Sequence, residues 1–126
     1  MRHFLLAAAM VAGLAAPAMA QRAGTYGVEG QGADGSRYQG SATLAPLGQN
    51  TWRVSWRVGS DTSQGVGILI PEGPMLVVGY RSGSETGVAV YAVQADGRLL
   101  GTWTQGLGGG IGTEVMLPPG GPVPGK

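Results

Sequence analysis

Between residues 51 and 59, apolar and polar side chains alternate strictly. Trp52, Val54, Trp56 and Val58 fall on one side, and Arg53, Ser55 and Arg57 on the other. A strand turns successive side chains to opposite faces, so this segment predicts a β-strand with its indoles toward a core and its arginines toward water. Seven more segments read as extended: 25–30, 37–47, 63–70, 74–81, 87–94, 98–105 and 111–117. They are rich in Val, Ile, Thr, Trp and Tyr, which suit a pleated surface. Val88-Ala89-Val90-Tyr91-Ala92-Val93 has no polar side, which predicts a strand covered on both faces. The segments start at intervals of about a dozen residues, close to the spacing of an all-β sandwich or barrel.

The gaps carry turn chemistry. Asp34-Gly35 and Asp96-Gly97 are hairpin signals, and Pro71-Glu72-Gly73-Pro74, Gly48-Gln49-Asn50 and Ser82-Gly83-Ser84 are further breaks. None has room for a crossover helix, so neighbouring segments should pair antiparallel. The fold predicted is an all-β, eight-stranded up-and-down meander over residues 21–117. A closed barrel of lipocalin- or streptavidin-like architecture is preferred to a two-sheet sandwich because closure removes exposed edges. Strand glycines such as Gly65, Gly67, Gly79 and Gly101 favour curvature. Asp34-Gly35 with Tyr38 and Gly40, and Asp96-Gly97 with Leu99 and Gly101, form a loose internal repeat of hairpin type. The Pro/Gly-rich tail, 118–126, cannot form a ladder and reads as flexible.

The start of the chain changes the picture. Arg2 and His3 precede an apolar run from Phe4 to Ala16, and Ala18-Met19-Ala20 follows Pro17 as an A-x-A cleavage site. The run is shorter than the roughly 20 apolar residues that span a bilayer. Residues 1–20 therefore read as an export signal, the mature chain as periplasmic or extracellular, with no membrane-spanning segment after cleavage. Losing Arg2 leaves seven Lys and Arg against seven Asp and Glu, scattered along the chain, which argues against nucleic acid and against an anionic membrane surface. There is no cysteine, so neither a disulfide nor a lipid attached through cysteine is available.

The mature chain also lacks histidine, since His3 is the only one. That removes a Ser-His-Asp triad, a cysteine nucleophile and the common zinc ligands, and no cofactor is expected. Among the acids, Asp34 and Asp96 belong to turns, Asp61, Glu72 and Glu85 to polar loops, and only Glu29 and Glu114 to strands. A glycosidase-like carboxylate pair is weighed against solvated or salt-bridged strand carboxylates, and the second reading is preferred. Gly106 to Gly112 has no Lys-Ser/Thr after it and no helix, so it is not a phosphate loop. The aromatics remain. Trp52, Trp56, Trp103 and Tyr91, with Tyr26, Tyr38 and Tyr80, either fill a small barrel or line a cavity for an apolar ligand. Arg53 and Arg57, about 13 Å apart at strand rise, either face solvent or contact a protein or polysaccharide.

Several stretches resemble a group of small exported bacterial β-rich proteins, some of which carry the label fibronectin-binding protein. They are Gly24-Thr25-Tyr26-Gly27-Val28-Glu29-Gly30, Asp34-Gly35-Ser36-Arg37-Tyr38-Gln39-Gly40, Trp52-Arg53-Val54-Ser55-Trp56, Gly65-Val66-Gly67-Ile68, Gly87-Val88-Ala89-Val90-Tyr91, Asp96 to Trp103, and Gly112-Thr113-Glu114. They cover most of the mature chain in order. Members of that group have cysteines in the segments corresponding to 52–70, where this chain has none. The resemblance implies a β-rich exported fold and a protein partner, and it carries no catalytic residues. The expected function is a non-enzymatic binding or interaction module with an unidentified protein partner. The alternatives are a carrier of a small apolar ligand in the barrel interior, and an inhibitor of an exported enzyme. Intact mass of protein from an exported fraction should match a chain beginning at Gln21, with or without cyclisation to pyroglutamate. Recovery only of the full-length chain from the cytoplasm would contradict the export reading.

Overall fold

In the computed structural model, residues 21–120 are described; the expected export signal, 1–20, and residues 121–126 of the tail lie outside them. Eight strands follow in chain order: β1 (Gly24–Gln31), β2 (Arg37–Gly48), β3 (Thr51–Val58), β4 (Asp61–Ile70), β5 (Met75–Ser82), β6 (Glu85–Val93), β7 (Leu99–Gln105) and β8 (Gly112–Leu117). Each pairs antiparallel with the next, and β1 also pairs with β8, from Gly27 opposite Leu117 to Gln31 opposite Thr113. The sheet is therefore a closed barrel, and the sandwich alternative is set aside. Closure leaves no edge strand to recruit another chain. Among the described residues every regular element is a strand, and no helix there is long and apolar enough to cross a membrane.

Period-two alternation builds the interior. In β3, Trp52, Val54 and Trp56 are buried while Arg53 and Arg57 are exposed, as the pattern predicts. The same alternation turns Tyr26 and Val28 of β1, Ala42 and Leu44 of β2, and Leu76 and Val78 of β5 into the barrel. Leu99 of β7 and Met116 of β8 complete the packing. Fully burying one such aliphatic side chain contributes about 1.5–3 kcal/mol, and these residues fill one end of the barrel densely. That end is sealed by residues just before β1: Gln21 Nε2 donates to Tyr26 Oη at 2.7 Å, and Tyr26 Oη donates to the Arg22 carbonyl at 2.7 Å. Pro118 is buried there, and Pro119 lies beside Gly24.

The two Ala-Asp-Gly loops share one geometry. Gly35 N–H donates to the Gly32 carbonyl, and Gly97 N–H to the Gln94 carbonyl, both at 2.9 Å. Asp34 accepts from the backbone N–H of Ser36, and Asp96 from that of Arg98, which holds both carboxyls below the usual carboxylate range. Gly35 and Gly97 have φ of 90° and 95°, a conformation that favours glycine. The repeat read in the sequence is thus a repeat of hairpin geometry.

One expectation is corrected. The segment from Val88 to Val93 is not covered on both faces. The barrel is a single layer, so Val88 and Val90 of β6 stand outside, at 52% and 36% exposure, beside Val66, Ile68 and Ile70 of β4 and Leu100 of β7. The result is an exposed apolar strip across β4–β7.

Two glycines with opposite surroundings test the inside–outside assignment. A Cβ at Gly101 would occupy the space of the buried Tyr91 ring, whereas a Cβ at Gly79 would meet nothing. Gly101→Ala should cost about 1–3 kcal/mol by overpacking. Gly79→Ala should be neutral within about 0.5 kcal/mol or slightly stabilising. Denaturant unfolding of both variants checks the pair, and equal effects would show the faces to be misassigned.

Candidate ligand site

The other end of the barrel is built differently, because its inward positions alternate rings with glycines. Tyr38 stands directly across from Gly30, Tyr80 from Gly87, Tyr91 from Gly101 and Trp103 from Gly112. In each pair the ring occupies the volume that a Cβ on the glycine would need. Leaning across the neighbouring strand keeps these large side chains against the wall. A cavity of about 290 Å³ opens between them.

Its aromatic lining comes from Tyr38, Trp56, Tyr80, Tyr91 and Trp103. Trp56 meets Tyr80 with ring centroids 5.2 Å apart, and Tyr38 meets Trp103 edge-on at 6.2 Å. The remainder includes Val58, Ala89, Ser63, Ser82, Gln105 and two carboxylates, Asp61 and Glu114.

Glu114 is the centre of the site. It points inward between Gly112 and Met116 and is 5% exposed. Three donors from three strands converge on it: Tyr38 Oη to Oε1 at 2.6 Å, Tyr91 Oη to Oε2 at 2.6 Å, and Trp56 Nε1 to Oε2 at 3.1 Å. Charge-assisted hydrogen bonds of this kind contribute about 1.5–3 kcal/mol each, which offsets the several kcal/mol needed to desolvate a carboxylate. Two carboxylate oxygens offer about four acceptor positions, so this set leaves room for one more donor. Trp103 Nε1 is closed off from solvent and makes no hydrogen bond among the described residues. At the rim, Glu85 accepts from Gln105 Nε2 at 3.1 Å.

Burial together with the Glu114 charge raises the tyrosine pKa values. Tyr91 and Tyr38 are pushed well up by desolvation, then by the contact with Glu114. Tyr80 is pushed up to about 12 by burial, with Glu114 and Glu85 adding to it. At the sealed end, burial raises Tyr26 as well.

The candidate residues read from the sequence divide among three places. Trp56, Tyr91 and Trp103 line the cavity, whereas Trp52 is buried in the sealed half and reaches no part of it. Arg53 and Arg57 are exposed on the outer wall, Arg57 beside a second groove with Ser41, Thr43, Ser55, Thr62 and Gln64. Glu29 is exposed while Glu114 is buried, on opposite faces of adjacent strands, so the two carboxylates do not form a pair. Glu114 is thus neither solvated nor, among the described residues, salt-bridged. Sequence reasoning passed over its role; the available signal is the inward alternation Gly112, Glu114, Met116, which places an acid between a ring seat and a core residue. Among the described residues, no group of three or more His, Cys, Asp or Glu side chains is placed to hold a metal ion.

The chain matches no protein-family model and no curated protein. Two solved structures share the fold. A redesigned β-barrel, mFAP0, bound to DFHBI, is 16% identical with a TM-score of 0.63 over 75% of this chain and 95% of that one. A second redesigned β-barrel, mFAP1, also bound to DFHBI, is 16% identical with a TM-score of 0.64 over 81% of this chain and 96% of that one.

All four tyrosines of the chain have raised pKa values. In denaturant they should ionise at about pH 10. Because the folded values lie above the unfolded one, the stabilisation is fully present below about pH 10 and is lost as pH rises through the folded values, Tyr80 among the first. Tyrosinate absorbance should therefore be nearly absent from the native protein at about pH 10.5 and appear together with unfolding at higher pH. Ordinary ionisation with the fold intact would contradict the buried Glu114 network.

Proposed function

We propose that this protein binds a small organic molecule in the open half of its barrel and works by binding, without catalysing a reaction. The observation that carries this reading is the unfilled space of about 290 Å³ beside a barrel half that is otherwise densely packed. That volume is at the lower end of small-molecule sites, and the lining combines apolar rings with a few fixed polar groups, as such sites do. Two barrels of the same fold, mFAP0 and mFAP1, are bound to DFHBI, which supports a ligand-holding role for this architecture. The carrier reading thereby moves ahead of the interaction module favoured by the sequence alone.

The non-catalytic reading rests on chemistry. Beyond residue 20 there is no histidine or cysteine, and Glu114 is already engaged by three donors. The export-signal pattern read in residues 1–20 supports binding in the periplasm or outside the cell. A second reading, an interaction module, is favoured by the apolar strip of Val66, Ile68, Val88 and Leu100 on the outer wall. Fibronectin is the partner that the family resemblance supplies, and the exposed Arg53 and Arg57 lie on the same outer wall.

Filling the cavity separates the two readings. Ser63 faces inward opposite Trp56, so Ser63→Trp places a second indole in the open space. Small fragments that raise the melting temperature of the native chain, by up to about 2.7 kcal/mol of stabilisation at a hundredfold excess over Kd, should lose that effect in the variant. If no fragment stabilises the native chain, or the effect survives in a folded Ser63→Trp protein, the cavity is not the binding site.

A further inference from the structure

We propose that the ligand is an organic cation, a small amine or quaternary ammonium held by aromatic faces and a buried carboxylate. This rests on the reading of the cavity as a ligand site and specifies its chemistry. The sign of the lining carries the argument. Glu114 lies at its base and Asp61 at its rim, and Glu85 stands beside Gln105 at the mouth. Among the described residues, none of the side chains lining the cavity is basic. The arginines nearest this end, Arg37, Arg57 and Arg81, are exposed on the outer face of their strands. A concave site with low-dielectric walls and one sign of charge focuses its field on the opening and concentrates ions of the opposite sign.

The aromatic lining selects the same class. Five rings surround the space, two of them indoles, and a cation within about 6 Å of such a ring is attracted by its electron-rich face. An anion would meet the same faces and two carboxylates, and both would repel it. A neutral apolar molecule would gain from the rings but leave the charge of Glu114 without a counter-ion. An organic cation satisfies both conditions, and where it is a protonated amine its N–H can use the acceptor position that Tyr38, Tyr91 and Trp56 leave open on the carboxylate. The roughly 290 Å³ of space is enough for a one-ring amine.

Three ligands that share one ring test the charge: benzylammonium, benzyl alcohol and benzoate, titrated calorimetrically into the purified protein at neutral pH. Benzylammonium should bind at least about tenfold more tightly than benzyl alcohol, and benzoate should not bind at all. Quenching of Trp56 and Trp103 fluorescence should report the same order. Glu114→Gln should weaken benzylammonium by about tenfold or more and leave benzyl alcohol nearly unchanged. If that variant does not fold, Asp61→Asn serves instead, because Asp61 is an exposed rim residue; it should weaken benzylammonium by about threefold. Benzyl alcohol binding as tightly as benzylammonium, or benzylammonium binding unchanged in both variants, would overturn the cation assignment and leave the cavity reading intact. Absence of binding by all three at about 10 mM would overturn both.

Discussion

A carboxylate buried inside a barrel without a basic partner demands hydrogen-bond donors, and much of the interior is organised to supply them. Glu114 receives Tyr38 from β2, Trp56 from β3 and Tyr91 from β6. Those strands are not sequence neighbours of β8, so the network ties distant parts of the chain across the barrel. It also fixes where apolar packing stops. Met116, one inward position further along β8, is fully buried in the sealed half, while Gly112, one inward position back, seats the Trp103 ring in the cavity wall. An apolar residue in place of Glu114 would leave the Tyr38, Trp56 and Tyr91 donors without their acceptor.

The glycines make the open half possible for a steric reason. An eight-stranded barrel has an interior that ordinary side chains nearly fill. Four inward glycines, Gly30, Gly87, Gly101 and Gly112, give up their share of that volume to a ring from the next strand. Large aromatic surface is thus kept at the wall, and the middle stays open. The outer wall is divided as well. Ser41, Thr43, Ser55 and Thr62 face outward on β2–β4, while Val66, Ile68, Val88 and Val90 make the β4–β6 side apolar. One closed sheet therefore presents a cavity within and two chemically different surfaces without.

Much of this fold was legible because its signals are local. Period-two alternation in 51–58, Asp-Gly turns and glycine breaks predict eight strands with ends close to those observed, and the face assignment of Trp56 and Arg57 follows from the pleat alone. Closure was a preference based on edge avoidance; the pairing of β1 with β8 joins residues far apart in sequence and leaves no local mark. The site was less legible for the same reason. Nothing around Glu114 in sequence shows that Tyr38, 76 residues away, donates to it. Gly101 could be read as a bend, but its role as a seat for Tyr91 requires the β6–β7 register. The apolar run of β6 misled because two apolar faces usually mean two covering layers, and a barrel supplies only one.

Fold and ligand chemistry are separable in this architecture. mFAP0 and mFAP1 share the barrel fold at 16% identity, so the fold tolerates wide change of sequence. What such a barrel holds is then decided by the few groups exposed to its space. Here those groups are five rings, with the Tyr38 and Tyr91 hydroxyls turned toward one carboxylate and a second carboxylate at the opening. Neutral filling would have needed none of the acids, and an anion site would have needed an arginine or lysine turned inward. The arginines of β3, Arg53 and Arg57, occupy the opposite face by the strict alternation that puts Trp52 and Trp56 inside. The same two-residue period that forms the core thereby excludes positive charge from this side of the cavity.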